Sequence, residues 1–223
     1  MNYYGWNVLY DYWLREYKGV NPETGVAEYR AISYVASNSR ITASGDTLTN
    51  NIANARFWYN GTSIPDLTGS VNTSLRYKGF SLSALMVYQL GGKVYDGAYA
   101  SLMGAGYHNA KHIDILKRWQ NPGDVTEVPR MDVARTADFD AASDRWLIDA
   151  SFINIRTITL SYNIPRNISS KLKINNGQVY LSGENFLMLS RRNGMNVQQN
   201  FGGTTSNVYS PAKSLVLGIS FSL

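Results

Sequence analysis

Two histidines and three aspartates are the side chains whose spacing most resembles a metal or catalytic site. His108 and His112 lie four residues apart, so a helix would place both on one face, but no HExxH motif surrounds them. Asp138, Asp140 and Asp144 resemble a calcium loop without its glycine and its closing glutamate. The chain also lacks a GxSxG elbow and a glycine-rich phosphate loop after a strand. We therefore interpret these residues as solvated loop positions, and the sequence predicts no enzyme, no metal site and no cofactor.

The composition of the 223 residues indicates a folded protein rich in aromatic side chains. Hydrophobic residues make up 44% of the chain and aromatic residues 13%, whereas charged residues make up only 17%, below the roughly 25% of a typical soluble domain. The absence of cysteine excludes a disulfide scaffold, and no apolar run approaches the roughly 18 residues of a membrane helix. The net charge of +5 comes from scattered cations, so nucleic acid is not an expected partner.

Alternation of apolar and polar residues predicts that much of the chain is β-strand. Along residues 66–78, apolar side chains fall on one face and polar ones on the other, which is the two-residue period of a strand. A tight turn at Lys78-Gly79 leads to a second alternating segment, 80–90, and this order predicts an antiparallel hairpin. We predict seven or eight strands in all, most of them 9–13 residues long, the remaining candidates being 4–14, 26–35, 54–59, 152–164, 179–189 and 215–223.

The predicted strand length favours a membrane barrel. Strands of soluble proteins average roughly 5–6 residues, whereas a tilted membrane-spanning strand needs roughly 9–11. In lipid every backbone polar group must be paired, so such strands occur in closed barrels with an apolar outer face, a polar lumen and aromatic belts. Tyr77, Phe80, Tyr88 and Tyr162 fit such belts. The predicted fold class is therefore all-β, an antiparallel transmembrane β-barrel portion. A soluble β-sandwich, whose apolar face turns inward, is the alternative.

Connections between the predicted strands alternate between short and long. The Lys78-Gly79 turn is tight and 165–177 is of middle length, whereas 92–150 and 190–212 are long. Outer-membrane barrels have short periplasmic turns and longer external loops. We therefore predict a long external loop at about 92–150, with one short helix that ends before Asn121-Pro122-Gly123.

A set of segments resembles, in order, the SusC/RagA-type TonB-dependent transporters. The segments are residues 19–25 (GVNPETG), 77–80 (YKGF), 116–125 (LKRWQNPGDV) with 129–130 (PR), 149–156 (DASFINIR), 160–165 (LSYNIP) and 179–186 (VYLSGENF). The LKRWQNPGDV segment looks like an external-loop motif of that family, and VYLSGENF resembles its penultimate strand. The closing strand of the family commonly ends in an aromatic residue, where this chain has Leu223.

The resemblance implies a protein much longer than this chain. It implies a barrel of about 22 strands preceded by a plug domain, of which residues 1–223 would form the C-terminal part, with seven to eight long strands. The plug, the TonB-contacting segment and the signal peptide would then precede residues 1–223 in the parent. The parent would import an oligosaccharide or a peptide across the cell outer membrane, driven by TonB through the plug. A SusD-like surface lipoprotein would cover the external loops, and outer-membrane lipid would surround the wall.

The resemblance also suggests six candidates for contact with the lumen or the solute. Polar residues of a wall strand would line the passage, and a loop that combines an aromatic plane with a hydrogen-bonding cation suits sugars. The candidates are Asn72, Ser74 and Arg76 on the 66–78 strand and Arg118, Trp119 and Trp146 in the 92–150 loop. Each has a plainer role as well, because polar residues mostly hydrate a lumen and a loop tryptophan mostly anchors its loop by packing.

Two further classes of protein remain open from the sequence. One is a small autonomous outer-membrane barrel or adhesin, in which eight strands would close around an interior filled with side chains. The other is a soluble carbohydrate-binding β-sandwich, which would need no detergent and would expose tryptophan in a groove. The size of the cellular protein and its need for detergent distinguish these classes from a transporter.

Overall fold

The computed structural model describes residues 9–106, 110–172, 174–191, 197, 202–205 and 211–222. The chain divides into two compact units, each assembled from three stretches of sequence. The sheet unit comprises Ile64–Gly92, Asp149–Gln199 and Val208–Leu223, and the loop unit comprises Met1–Ser63, Lys93–Ile148 and Asn200–Asn207. No helix of the described residues has both the length and the hydropathy to cross a membrane.

Strands are the main elements of the described residues, and the helices are short. The strands are β1 (Asp11–Arg15), β2 (Tyr17–Val20), β3 (Ala27–Arg30), β4 (Ser39–Ile41), β5 (Thr47–Thr49), β6 (Phe57–Thr62), β7 (Leu67–Tyr77), β8 (Phe80–Leu90), β9 (Lys93–Asp96), β10 (Leu147–Asp149), β11 (Phe152–Asn163), β12 (Asn176–Ser190), β13 (Thr204–Thr205) and β14 (Ser214–Ser222). The α-helices are α1 (Gly97–Met103), α2 (Thr136–Phe139) and α3 (Arg166–Ser169). The 3₁₀ helices are Ile52–Asn54, Ile113–Lys117, Val133–Arg135, Asp144–Trp146 and Ser170–Leu172.

The sheet unit contains one antiparallel sheet of five strands in the order β7-β8-β11-β12-β14. Strands of this unit that follow one another along the chain are paired, so the sheet is a meander. β7 pairs with β8 over its whole length. The turn residues between them, Lys78 and Gly79, have φ values of 45° and 87°, as a two-residue type I′ turn requires. The predicted hairpin is confirmed.

One face of this sheet carries a row of leucines that crosses all five strands. Leu75, Leu82, Leu160, Leu181 and Leu217 are successive direct neighbours in the pairing register. All but the second of these side chains are 41–73% exposed. A β-sandwich would bury such a face against a second sheet, whereas a barrel turns it to lipid. The exposed row therefore favours the barrel over the sandwich, and the predicted all-β fold class is confirmed.

An aromatic row runs beside the leucines, next to the Lys78-Gly79 turn. Tyr77 lies opposite Phe80, and Phe80 lies opposite Tyr162 on β11. The ring centroids of Phe80 and Tyr162 are 4.6 Å apart. Three neighbouring strands therefore present aromatic side chains at one end of the sheet, as the sequence predicts for an interfacial belt.

A β-bulge at Arg156 keeps the apolar residues of β11 on one face. Before the bulge, apolar side chains occupy the odd positions Ile153 and Ile155, and after it they occupy even positions from Ile158 onward. The pairing with both neighbouring strands shifts just after Ile155, and relative to β8 the exposed Arg156 is the extra residue. Without this extra residue, half of the strand would turn its apolar side chains to the opposite face.

Fewer strands of the described residues are long than the sequence predicts. Five strands of the described residues, β7, β8, β11, β12 and β14, have 9–15 residues, where we predicted seven or eight. The predicted strand 26–35 is only the four-residue β3, and its first three residues are buried because it lies within a small sheet of the loop unit. The 54–59 candidate corresponds to β6, and the structure describes the 4–14 candidate only from residue 9 onward, where β1 begins at Asp11.

The described part of the loop unit combines three small sheets with two clusters of buried side chains. The sheets have the orders β2-β3-β5-β4, β1-β6 and β10-β9-β13. The clusters are Met103, Ala105, Val128, Phe139 and Trp146, and Ala27, Tyr29, Ala55 and Ala141. The long connection 92–150 is therefore folded. The helix predicted within it is the 3₁₀ helix Ile113–Lys117, but the connection also contains α1, α2 and two further 3₁₀ helices, where we predicted one helix.

Candidate functional site

The three strand candidates share one face of β7. Asn72, Ser74 and Arg76 are all exposed and lie on the face opposite the leucine row. The row that starts at Ser74 continues across the sheet to Thr159 and Ser182, whose hydroxyl oxygens are hydrogen-bonded at 2.8 Å. This face is thus polar, as the alternation predicts, and its position along a lumen stays a prediction.

Trp119 clamps two segments of the loop unit together. Its indole N–H donates to the carbonyl of Pro22 at 2.8 Å, and its ring lies against Gly25. Beside it, the N–H of Gly123 donates to the carbonyl of Pro22 and the N–H of Arg130 donates to that of Gly25, both at 2.8 Å. Two segments of the family resemblance, GVNPETG and LKRWQNPGDV, are therefore fastened to one another. The ring face against Gly25 is closed to a solute.

Replacement of Gly25 with alanine is expected to open this clamp. Gly25 has a φ of +71°, and a Cβ at this position would enter the ring of Trp119, so the cost should exceed the about 1–2 kcal/mol of a left-handed L-residue. Gly45 has a φ of +84° with nothing within 4 Å of its Cβ, so Gly45→Ala measures the backbone cost alone. Hydrogen exchange of residues 116–130 in the full-length protein should increase more in Gly25→Ala than in Gly45→Ala. Equal increases would contradict the clamp.

Trp146 is a core residue, which corrects its prediction as a solute contact. It is 1% exposed and packs in the cluster that contains Met103 and Phe139. Its indole N–H donates to the carbonyl of Ala141 at 3.0 Å, and the guanidinium of Arg145 lies 4.4 Å from its ring centroid. The aromatic residue and the neighbouring cation therefore stack on each other instead of facing a ligand.

Arg118 is half-buried at the end of the 3₁₀ helix Ile113–Lys117. Its N–H donates to the carbonyl of Ile115 at 3.2 Å, and its backbone forms a parallel bridge with Val128. Within the described residues its guanidinium has no ion-pair partner, so contact of this side chain with a solute stays a prediction. Arg118 therefore shares neither the contact of Trp119 with Pro22 nor the buried cluster of Trp146.

The three aspartates at 138–144 hold separate parts of the loop unit. Their partners are the guanidinium of Arg135 for Asp138 (2.7 Å), the N–H of Ala105 for Asp140 (2.9 Å) and the N–H of Tyr17 for Asp144 (2.8 Å). Across the part of the chain that the structure describes, no three metal-ligating side chains come together. Asp140 is exposed, as our interpretation of a solvated loop expects, whereas Asp138 and Asp144 are half-buried, and each of the three carboxylates also has a structural partner.

The histidine pair is only half described. His108 lies outside the described residues, and His112 precedes the 3₁₀ helix Ile113–Lys117. The Nδ1 atom of His112 accepts the N–H of Asp114 at 3.2 Å, and its ring meets that of Tyr99 edge to face with centroids 4.9 Å apart. His112 thus caps a short helix.

Asp144 should make the stability of the loop unit depend on pH. Burial raises the pKa of this carboxyl above its usual value, although the N–H of Tyr17 opposes the shift. A raised folded-state pKa contributes stability below the unfolded pKa, and this stability is lost as the pH rises through the folded pKa. Asp144→Asn keeps an acceptor for Tyr17 without the charge. The ratio of amide protection factors in the loop unit, Asp144→Asn over wild type, should therefore increase as the pH is raised from about 4 to 7. A ratio that does not change with pH would contradict this assignment.

Glu16 joins three cations in a network that the sequence analysis did not detect. Its carboxylate lies 2.7 Å from Lys18, 3.7 Å from Arg30 and 2.6 Å from Arg56. Burial opposes its ionisation, but hydrogen bonds from Lys18 and Arg56 outweigh this effect and lower the pKa of the carboxyl. The guanidinium of Arg56 also lies 4.3 Å from the ring centroid of Trp58. These pairs connect distant segments of the loop unit.

A small open cleft of the loop unit is bordered by two arginine–aspartate pairs. Its volume is about 20 Å³, which is room for little more than one water molecule. Arg130 Nη2 lies 3.0 Å from Asp132 Oδ2, and Arg135 Nη2 lies 2.7 Å from Asp138 Oδ2. The floor is apolar and consists of Val26, Ala27, Pro129 and Phe139. This cleft was not predicted from the sequence, although opposite charges at spacings of two and three between 130 and 138 indicate paired side chains.

Comparison with known proteins gives relatives of a single kind. No protein-family profile matches the chain. It is 26% identical over 141 residues to TonB-dependent receptor P3 of Formosa agariphila, which covers 63% of this chain and 14% of the receptor. It is 29% identical over 140 residues to TonB-dependent receptor P39 of the same organism, which covers 61% of this chain and 13% of that receptor. The chain thus corresponds to a small part of these receptors.

Solved structures share the fold over nearly the whole chain. The RagAB peptide importer in its open-open state superposes with a TM-score of 0.77 at 21% identity, over 100% of this chain and 24% of that chain. The RagAB peptide transporter superposes with a TM-score of 0.76 at 21% identity, over 95% of this chain and 22% of that chain. At this identity the match shows the fold alone.

The long antiparallel strands, with one apolar and one polar face, define a portion of an outer-membrane-type β-barrel. The sequence relatives are named TonB-dependent receptors, and the chain is 26–29% identical to them over 58–63% of its length. The resemblance to TonB-dependent receptors is supported by these relatives, and the RagAB structures share the fold. The relatives are named as receptors and transporters and not as enzymes.

Proposed function

We propose that this chain forms the C-terminal part of the barrel of a TonB-driven outer-membrane importer of oligosaccharides or peptides. The observation that carries the proposal is the five-stranded sheet, whose exposed leucine row lies opposite a polar face. Such a sheet suits a wall between lipid and a water-filled passage. The homology to TonB-dependent receptors supports the coupling to TonB, and the RagAB structures support peptide as one substrate class.

Each unit has its own part in this proposal. The sheet unit forms part of the barrel wall, and Asn72, Ser74 and Arg76 line the passage. The 92–150 connection is external, because the Lys78-Gly79 turn belongs to the periplasmic side and this connection leaves from the other end of β8. A SusD-like surface lipoprotein covers the external loops, and TonB acts on a plug domain encoded outside residues 1–223.

The two edges of the sheet support a longer parent protein. β7 and β14 are its outer strands, and the described residues provide no further strand in this sheet. Unpaired backbone N–H and C=O groups of an edge strand are costly in lipid, so a barrel needs further strands at both edges. The chain also corresponds to only 13–14% of the length of the relatives above.

The proposal is tested by an immunoblot of outer membranes from the source cells. An antibody raised against the peptide 111–124 is expected to detect a detergent-extracted band several times larger than 24.9 kDa. Deletion of the corresponding gene should then abolish growth on at least one oligosaccharide or peptide mixture, and a TonB deletion should have the same effect.

Other results of this blot would overturn the proposal. A detergent-extracted band near 24.9 kDa would indicate a small autonomous barrel or adhesin. The same band in the soluble fraction would indicate a soluble carbohydrate-binding protein, although the exposed leucine row argues against it.

A further inference from the structure

We propose that residues 202–205 form a strap that undocks from the loop unit and docks again while a solute enters. The strap is the described part of the 190–212 connection that belongs to the loop unit. It contains β13, which pairs in parallel with β9 at the start of the 92–150 connection. This inference rests on the proposed import function, in which both connections are external and meet a solute before the wall does.

The carbonyl of Gly203 is the main anchor of the strap. It accepts the backbone N–H of Tyr95 at 2.7 Å and the hydroxyl of Tyr12. The same hydroxyl lies 3.1 Å from the carbonyl oxygen of Lys93 on β9. Burial raises the pKa of Tyr12 to about 12, so its hydroxyl remains a donor at neutral pH. Tyr12 therefore holds the strap and β9 together at one point.

Gly97 leaves room for the strap at the start of α1. Glycine is a poor helix former, and Gly97 does not have the positive φ of the turn glycines, so the helix itself does not require it. A Cβ at Gly97 would lie 2.6 Å from the carbonyl oxygen of Thr205, closer than real Cβ atoms approach another atom. This glycine therefore fits the docked strap rather than the helix.

The docked strap buries its end but is held by few interactions. Thr205 is 8% exposed, and Asp96, its partner on β9, is 2% exposed. β13 has only two residues, and one hydrogen bond shifts an equilibrium by roughly two- to tenfold. Segments with so few backbone hydrogen bonds open locally while a core stays folded. The strap is therefore suited to release without unfolding of the loop unit.

The first test measures undocking without transport. The chain contains no cysteine, so Thr205→Cys introduces a single thiol into it, which the docked strap buries. The full-length protein that carries this chain is purified in detergent and treated with a maleimide, and modification is measured on the peptide that contains residue 205. Ser143→Cys, at a position that is 0% exposed in the loop unit, and Thr204→Cys, at an exposed position of the strap, are the two controls.

The rate of Thr205→Cys should lie between the rates of the two controls. We expect it to be at least tenfold faster than that of Ser143→Cys, which reacts only when the loop unit unfolds, and at least tenfold slower than that of Thr204→Cys. A rate equal to that of Ser143→Cys would make the strap a permanent part of the unit. A rate equal to that of Thr204→Cys would mean that the strap is not docked. Either result would overturn the proposal.

Gly97→Ala should loosen the strap although alanine is the better helix former. The added Cβ would meet the carbonyl oxygen of Thr205, so the labelling rate of Thr205→Cys should increase about tenfold or more in this background. Gly106→Ala is the matched control, because nothing lies within 4 Å of a Cβ at that position. Equal rates in the two backgrounds would overturn the docking of Thr205 against Gly97.

An engineered disulfide tests whether import requires undocking. Thr204 and Tyr95 are Cα partners in the register, at a strand spacing that a disulfide bridges. In the double variant Thr204→Cys with Tyr95→Cys, oxidation should reduce import of the nutrient mixture identified by the gene deletion about tenfold or more, and a reductant should restore it. Both states lack the ring of Tyr95, so their comparison isolates the disulfide. Equal import in the two states would overturn the proposal.

The two proposals fail separately. The labelling requires neither TonB nor import, so it tests the strap even if the blot shows a small protein. A large outer-membrane importer that works equally well in the oxidised and the reduced state would leave the import function in place and remove only the strap.

Discussion

Replacement of Trp146 with alanine should destabilise the loop unit by about 3–5 kcal/mol, the usual cost of removing a large aromatic side chain from a core. Trp146 is 1% exposed and contacts the buried cluster of Met103 and Phe139. The substitution would leave a cavity, remove the donor to the carbonyl of Ala141 and take away the ring beneath the guanidinium of Arg145. Several interactions are therefore lost with one side chain.

Hydrogen exchange in the full-length protein measures this effect locally. Amides of α1 and of residues 139–148 should lose protection in Trp146→Ala, while those of β11 and β12 in the sheet unit keep theirs. Trp13→Ala is the control, because Trp13 belongs to the loop unit but is 46% exposed, and it should change protection little. Retained protection together with loss of solute binding would restore the sequence-based prediction that Trp146 contacts the solute.

The strands of the sheet could be predicted from the sequence because two-residue alternation has a direct physical cause. Opposite faces of β7 meet different surroundings, so its apolar and polar residues largely separate, whereas β8 also carries Leu85 and Val87 on the face of Ser83. β11 also alternates, but its period changes at the bulge of Arg156, and a single sequence does not tell an inserted residue from an irregular pattern. β3 is buried in the loop unit, so its residues give a sequence pattern like that of a barrel-wall strand although β3 is not part of the wall.

The loop unit could not be derived in the same way, because its contacts join residues distant in sequence. Trp119 finds its partners at Pro22 and Gly25, and no local pattern indicates that pairing. The cleft depends on the fold of two such segments, Val26 from one and Phe139 from the other. A sequence shows that a loop is rich in arginine, aspartate and tryptophan, whereas the fold decides which of them are buried, paired or exposed.

Replacement of Leu160 with arginine should reduce assembly of the protein in the outer membrane. Leu160 is 46% exposed and lies between Leu82 and Leu181 on the two neighbouring strands. It also lies two residues from Tyr162 of the aromatic belt, so, if this face meets lipid, an arginine there costs less than the about 2–4 kcal/mol of the bilayer midplane. Outer-membrane fractions should therefore contain less heat-modifiable, folded protein than those of the wild type.

Thr159→Arg is the matched control that tests which face of the sheet meets lipid. Thr159 precedes Leu160 on the same strand but points to the polar face, where its hydroxyl is hydrogen-bonded to that of Ser182 at 2.8 Å. The substitution removes one hydrogen bond, worth about 1 kcal/mol, and leaves the charge in water if this face lines the passage. Thr159→Arg protein should therefore assemble nearly as well as the wild type. If Thr159→Arg assembled less well than Leu160→Arg, the polar face would be the one that meets lipid. Equal assembly of the two variants would mean that neither face meets lipid.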